Sequence, residues 1–481
     1  MPAPLFFVGL PLLFAPVVYA WRRPAPRMGW WRRAETLLAA GLALFLALLA
    51  LILPFDQPLL FFGGPIIKSA MTVMGRVFEI EAVDRLALAF LFGQAAALFL
   101  GSGLVPSSRF YLPAGLAALA WLAAALFVRP FLFAALFLEL AAALAVFMLG
   151  DESNPSPVAR GALRFLVFMS LAMPFILLSG WLIEGTAASP EDATFVTRAT
   201  LLLSAGFVVL LGVVPFHSWM PEVAEHAPPL AAAFVFTVMQ FIAVFVLLTF
   251  LSAYPWLGQN PVVYRALTVA GGGMILVGAV LVFGQRNFGR SMGYALMIDV
   301  GAVLLAIGLG TPAGVEAALA TLALRGGALA LWGVGLAQLR HSAGSDDFDA
   351  LRGLARTRPF ASAAVVLSML SLVGFPLTAG FPARWSLLFL LAHIHPTGAI
   401  LLLVGMVSIG LTVARGLNAL LAPLAADDEE EGAPPGKWSE QPLAVAVYAF
   451  GIIAILALGV FPQWLLPAVT QTANIFTGIG P

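Results

Sequence analysis

Five ionisable side chains stand inside long apolar runs. They are Glu139 in LFAALFLELAAALAVFML, Asp299 in MGYALMIDVGAVLLAIGL, Arg325 in LATLALRGGALALWGVGL, Arg384 in GFPLTAGFPARWSLL and Arg415 in GLTVARGLNALL. A charge at the centre of a bilayer costs about 2.5–3.5 kcal/mol on insertion scales, so each such residue points to a function or to a buried partner. Two kinds of chemistry are open to them. One is proton or ion transfer along the membrane midplane; the other is pairing of opposite charges on neighbouring helices, which fixes packing and moves nothing. Arg415 is the weakest of the five, because it lies near a helix end from which a long side chain snorkels to the interface.

The elements that must position these residues follow from composition. The chain has 481 residues, 61% hydrophobic and 10% charged, with a mean hydropathy of +1.00; soluble domains carry roughly 25% charge. Apolar runs of about 20 residues, each enough to cross a hydrocarbon core roughly 30 Å thick, recur from residue 3 to about residue 468 and number about 14. They are continuous and lack the alternation of a barrel strand, so the expected class is an all-α polytopic membrane protein. Residues 3–21 follow no basic segment and precede no small-residue cleavage site, and read as a retained helix.

The chain has no cysteine, which excludes disulfides, thiolate metal sites and iron–sulfur ligation by its own residues. It contains no Walker loop, dinucleotide fingerprint or metal-ligand cluster, so no cofactor is expected and any redox chemistry belongs to partners. The formal net charge is zero, and no basic surface invites nucleic acid. Arginines instead concentrate in alternate loops: Arg22, Arg23, Arg27, Arg32 and Arg33, then Arg286 and Arg290, then Arg340, Arg352, Arg356 and Arg358. These loops are expected to be cytoplasmic and the intervening loops and both termini to face outward, in a cell inner membrane. The acidic stretch AADDEEEGAPPGKWSEQ at 425–441 reads as a solvated connector between the last two spans.

Two spans are interrupted. VVPFHSWMPEVAEHAPP carries Pro215 and Pro221, and LVGFPLTAGFPAR carries Pro376, Gly380 and Pro382. Each frees backbone groups at membrane depth, which is tolerated only beside protein or a water-filled cavity. A pair of such interruptions in corresponding positions of two halves is the sequence sign of a transport site on an inverted repeat.

These residues carry a resemblance. VVPFHSWMPEVAEHAPP resembles the Val-Pro-Phe-His-x-Trp-x-Pro-Asp signature of the antiporter-like membrane subunits of respiratory complex I, shared with Mrp antiporters and energy-converting hydrogenases. LSLVGFPLTAGFPARWSLL and RSMGYALMIDVGAVLLAIGLG are similar to two further motifs of that family, in the same order and spacing. The resemblance implies two five-helix repeats of opposite topology, one discontinuous helix in each, and a row of charges at the midplane. The implied division is 1–105 as an amino-terminal three-helix segment, 106–255 and 256–421 as the two repeats, and 422–481 as acidic loop and final helix.

The resemblance also implies site residues. Glu139 matches the family's fifth-span glutamate, Arg384 stands where a twelfth-span lysine belongs, Arg325 stands near a position often held by lysine or histidine, and Asp299 takes the place of a histidine. Two lysines are replaced: the seventh-span position is Leu210 and the eighth-span position is Gln240. The chain's only lysines are Lys68 and Lys437, both in loops. A buried lysine loses its proton readily and an arginine does not, so the family's lysine relay cannot run here in its usual form. Transfer then falls to Glu139, Asp299, the histidines and ordered water, with Arg325 and Arg384 as fixed charges and the nearest arginine setting the state of Glu139. His217, Glu222, Glu225 and His226 are the candidates for collecting protons at the cytoplasmic mouth.

The implied function is that of a membrane-arm subunit of a multisubunit complex moving protons or sodium ions, coupled to redox chemistry or another gradient. Its partners are other integral membrane subunits, lipid and the ions. The alternatives are a non-conducting scaffold, and a subunit of a standalone antiporter or of an ion-coupled uptake complex.

Overall fold

The structure is a computed structural model that describes residues 2–22, 29–57, 66–105, 107–150, 155–188, 193–423, 440–476 and 478–480. Eleven of the described helices are long and apolar enough to cross a bilayer, and three shorter apolar ones, Tyr111–Phe127, Thr194–Leu210 and Pro359–Val373, complete a series of fourteen. Spans 1 to 6 are Ala3–Arg22, Gly29–Ile52, Ala82–Gly101, Tyr111–Phe127, Ala134–Leu149 and Pro155–Ala188. Span 7 runs Ala193–Leu210 and resumes as Trp219–His226. Span 8 begins at Pro229–Phe234, passes through one π-helical turn at Val235–Met239 and continues as Gln240–Ala253. Spans 9 to 11 are Pro261–Phe283, Phe288–Gly308 and Pro312–Ala343; span 12 is Pro359–Val373 followed by Gly380–Ile394; spans 13 and 14 are Pro396–Leu421 and Pro442–Val460.

The local sequence explains where these helices start. Proline occupies the first turn of spans 8, 9, 11, 12, 13 and 14, where its missing N–H would have had no helical partner. The side chains of Asn260, Asn287 and Thr311 accept from the free amides of the turns they precede.

Both expected breaks are present. Span 7 ends at Leu210, Gly212 takes a left-handed φ of +64°, and a 3₁₀ turn over Phe216–Ser218 leads into the second half. Span 12 ends at Val373, and Gly374 takes φ +81°. There the carbonyl of Leu372 loses its helical donor, because the residue four places on is Pro376. Spans 4–8 and 9–13 are two runs of five with the fourth member broken in each. Five is odd, so the second run crosses the membrane in the opposite sense to the first.

Spans 8, 10 and 11 form the interior and are buried over nearly their whole length, while spans 1, 6, 9, 13 and 14 present broad exposed apolar faces. Span 10 lies close against the second half of span 7: a Cβ on Gly293 would come within 2.5 Å of the Pro221 backbone.

The expectation of an all-α chain needs one addition. Ala70–Val73 and Arg76–Glu79 pair as an antiparallel hairpin, joined laterally by Val128–Arg129. Met74 and Gly75 both take positive φ, as a two-residue hairpin turn requires.

The loops after spans 7, 9 and 11 converge on one face. Asn287 donates to Asp347 at 2.9 Å and Arg290 pairs with Glu225 at 3.3 Å. This is the arginine-rich face, the one expected to be cytoplasmic, and the small sheet lies on the other. Residues 23–28, with Arg23 and Arg27, and residues 424–439, with most of the acidic connector, lie outside the described residues.

Candidate functional site

Three of the five membrane-embedded charges meet. Asp299 on span 10, Arg325 on span 11 and Arg384 in the second half of span 12 are 1%, 3% and 3% exposed, and both guanidiniums donate to the one carboxylate. Arg325 reaches one oxygen through Nη1 at 2.6 Å, and Arg384 reaches the other through Nη2. Each guanidinium also finds a backbone carbonyl released by irregular helix. The amide of Gln240 goes to the carbonyls of Val235 and Thr237 at the π turn, and Arg325 Nη2 donates to the neighbouring carbonyl of Phe236 at 3.1 Å. Arg384 Nε donates at 3.2 Å to the carbonyl of Leu372, the one stranded by Pro376. The π turn and the break thus supply acceptors where two arginines must be buried.

Gln240 joins the same cluster: its Oε1 accepts from Arg325 Nη2 at 3.3 Å. The position expected to hold a replaced lysine therefore touches the triad through an amide. Gln240 Nε2, Arg325 Nε and Arg384 Nη1 are buried without a protein acceptor, and Gln94 Oε1 on span 3 is a buried acceptor without a donor. Polar atoms so placed are sites for ordered water. Gln94 presses on Gly326, next to Arg325, and the sequence offered no sign of it beyond a lone amide in an apolar run.

Glu139 stands apart from the triad. No ion pair to it occurs among the described residues; its Oε1 accepts a 2.5 Å hydrogen bond from Ser170 on span 6, and Oε2 is buried without a donor. The expectation that a nearby arginine sets its state is therefore corrected. A small cavity of ≈ 20 Å³, room for about one water, is lined by Leu138, Phe165, Met169, Leu210, Trp219, Val235, Met239, Gln240 and Ala243, and Glu139 is not among its walls. Leu210 is one of the apolar walls of this space.

The residues expected at the cytoplasmic mouth form an ion-paired cap. Glu222 lies 3.3 Å from Arg164 and 4.0 Å from Arg290, and Glu225 lies 3.3 Å from Arg290. His226 Nδ1 sits 3.8 Å from Glu222 and 3.9 Å from Glu225. Arg340, which the sequence marked only as a loop charge, donates to the carbonyls of Ala227 at 2.7 Å and Glu225 at 2.8 Å, and to Asp346. His217 lies deeper, in the 3₁₀ turn of span 7, half-buried with Nδ1 unpartnered. Arg415 is exposed on span 13 and donates to the last carbonyl of span 9, at Phe283, far from any embedded acid. No group of three or more potential metal-ligating side chains occurs among the described residues.

Residues 189–412 match the family described as NADH:quinone oxidoreductase/Mrp antiporter, TM. NADH-quinone oxidoreductase subunit N of Rhodopseudomonas palustris (strain BisA53) is 30% identical over 65% of this chain and 67% of its own length. The subunit N of Rhodococcus opacus (strain B4) is 27% identical over 70% of this chain and 60% of its own length. The chain thus spans under two thirds of some of the relatives it matches. Among solved structures, a chain of the Mrp complex from Dietzia sp. DQ12-45-1b aligns with a TM-score of 0.80 at 20% identity, covering 99% of this chain and 97% of that one. A chain of respiratory complex I from Thermus thermophilus aligns with a TM-score of 0.78 at 20% identity, covering 99% and 100%. These likenesses establish the shared fold.

Proposed function

Because this chain belongs to the family of antiporter-like membrane subunits shared by NADH:quinone oxidoreductases and Mrp antiporters, we propose that it is a membrane-arm subunit of a multisubunit proton-translocating complex, with its two halves in unequal roles. It sits among other integral subunits of a cell inner membrane, and electron transfer is left to those partners. Residues 106–255 and 256–421 are the two repeats, each holding five spans with the fourth broken.

The observation that carries this reading is the bonding of Asp299 by two guanidiniums. Arginine does not give up its proton, and both oxygens of Asp299 are held by guanidiniums. The second half therefore works as a fixed charge. Of the five membrane-embedded charges the first half holds Glu139 alone, with a single hydroxyl partner. Glu139 takes up and releases the proton beside Ser170, and the triad sets the field that the proton meets.

Glu139→Gln in vesicles holding the assembled complex is the test. Ion transport is expected to fall by about a hundredfold or more, the low end of the usual effect of removing a proton-transfer group, at unchanged complex content. Unchanged transport at matched content supports a second reading, the non-conducting scaffold. That reading is favoured by the apolar lining of the cavity at Leu210, Phe165 and Met169.

A further inference from the structure

The chain does not stop at span 14. A 3₁₀ turn at Pro462–Trp464 leads into a short helix, Leu466–Ala473, and then an irregular segment, all on the outward side. This segment carries little charge, yet Val469, Thr472, Ala473, Phe476 and Ile479 are buried. Its partners lie at the outward ends of the helices that hold the charged core. Thr470 donates to Glu316 on span 11 at 2.5 Å. Phe476 packs edge-on against Phe245 of span 8, ring centroids 5.2 Å apart. The amide of Gly480 donates to the carbonyl of Gly258 at 3.0 Å and to the hydroxyl of Tyr264 at 2.9 Å. Its backbone lies so close to the turn between spans 10 and 11 that a Cβ there would sit 2.3 Å from the carbonyl of Gly310.

These anchors stand over the site. Phe245 is five residues outward of Gln240, about 7.5 Å of helical rise, and Glu316 is nine residues outward of Arg325, about 13.5 Å. Anything passing outward between spans 8, 10 and 11 meets the tail.

We propose that residues 466–476 and 478–480 are a plug that closes the outward ends of spans 8, 10 and 11 above Gln240, Asp299 and Arg325. Its polar and aromatic hold is one aromatic pair, one threonine–glutamate bond and one shared amide, with five side chains buried, in a stretch of only eight helical residues. That is the construction of a segment that opens locally while the spans beneath stay folded. The outward end of the path is then opened and shut by this chain's own carboxy-terminal segment. The proposal rests on the proton-path reading for its purpose, but not for its geometry.

The chain contains no cysteine, which makes a clean test available. Ala320 is 2% exposed, one turn inward of Glu316, and Ala320→Cys gives this chain a single thiol beneath the plug. In membrane vesicles with the outer face exposed, a membrane-impermeant maleimide is expected to leave that thiol unlabelled in the full chain. It is expected to react roughly tenfold faster or more after deletion of residues 466–481, as it becomes accessible from outside. If the deletion prevents assembly, the pair Thr470→Val and Phe476→Ala in the full chain carries the same expectation. Ready labelling in the full chain, or none after the plug is removed or loosened in a complex of normal yield, overturns the proposal. Labelling is read without ion flux, so its failure leaves the Glu139 reading standing, and the loss of that reading leaves the plug.

Discussion

Arginine does two jobs in this chain, and both follow from its fork of donors. Of 24 basic residues only two are lysine, and several of the arginines bind carbonyls where a helix ends. Arg85 donates to Ala50, Leu51 and Leu53 at the end of span 2 at 3.0, 2.8 and 2.8 Å, Arg129 to Leu126 and Val128 at 3.1 and 3.3 Å, and Arg415 to Phe283. Arg325 and Arg384 do the same at the midplane while sharing Asp299. Removing the shared acid strands two buried cations, so Asp299→Asn is expected to destabilise the folded chain by about 3–5 kcal/mol, the usual loss when one partner of a buried pair is removed. Replacing all three together, with Asp299→Leu, Arg325→Met and Arg384→Leu, is expected to recover most of that loss, because no charge is then left unpaired. Thermal unfolding of the purified complex in detergent measures both; equal losses in the single and triple variants would show that the charges are not the source of the cost.

Each break earns its place by what it presents. Gly374 lets span 12 turn away with φ +81°, and a Cβ there would sit 2.5 Å from Arg384 Cγ. Gly374→Ala is therefore expected to cost about 1–2 kcal/mol in backbone strain alone, and to push Arg384 off Leu372 and Asp299. The check is a double-mutant cycle with Asp299→Asn: the two losses should add to clearly less than their sum, since both act through the same contact. Full additivity would separate the break from the triad. The cap on the second half of span 7 is held from outside that helix, by Arg164, Arg290 and Arg340. Arg340→Gln removes the donor to the carbonyls of Glu225 and Ala227, and should speed amide hydrogen exchange at 219–227 while leaving span 10 protected. Unchanged exchange there would show that the cap stands without it.

At the scale of the molecule, the odd number of spans in each half places the two breaks in opposite senses, and the interior of spans 8, 10 and 11 joins them. Orientation follows from the arginine loops, so a single cysteine at Ser345 is expected to react with impermeant maleimide only from the cytoplasmic side; reaction from the outside alone would invert the whole assignment. The same topology puts the sheet and the carboxy-terminal helix on the opposite face, the helix packed against spans 3 and 11.

Composition and proline spacing alone determined the class of this protein, the count of fourteen spans and the two breaks, because a bilayer leaves a chain few ways to bury its backbone and proline acts through its own ring. The scarcity of lysine was equally plain: only Lys68 and Lys437 occur. Tertiary structure decided which charges meet. Asp299, Arg325 and Arg384 are up to 85 residues apart, and nothing in their spacing shows that two arginines converge on one acid while Glu139 is left to Ser170. The amides of Gln94 and Gln240, the clamp of Arg340 and the fold-back of residues 466–476 and 478–480 were likewise hidden. Such contacts depend on which helix faces lie opposite one another, and an apolar stretch reads the same whichever neighbour it packs against.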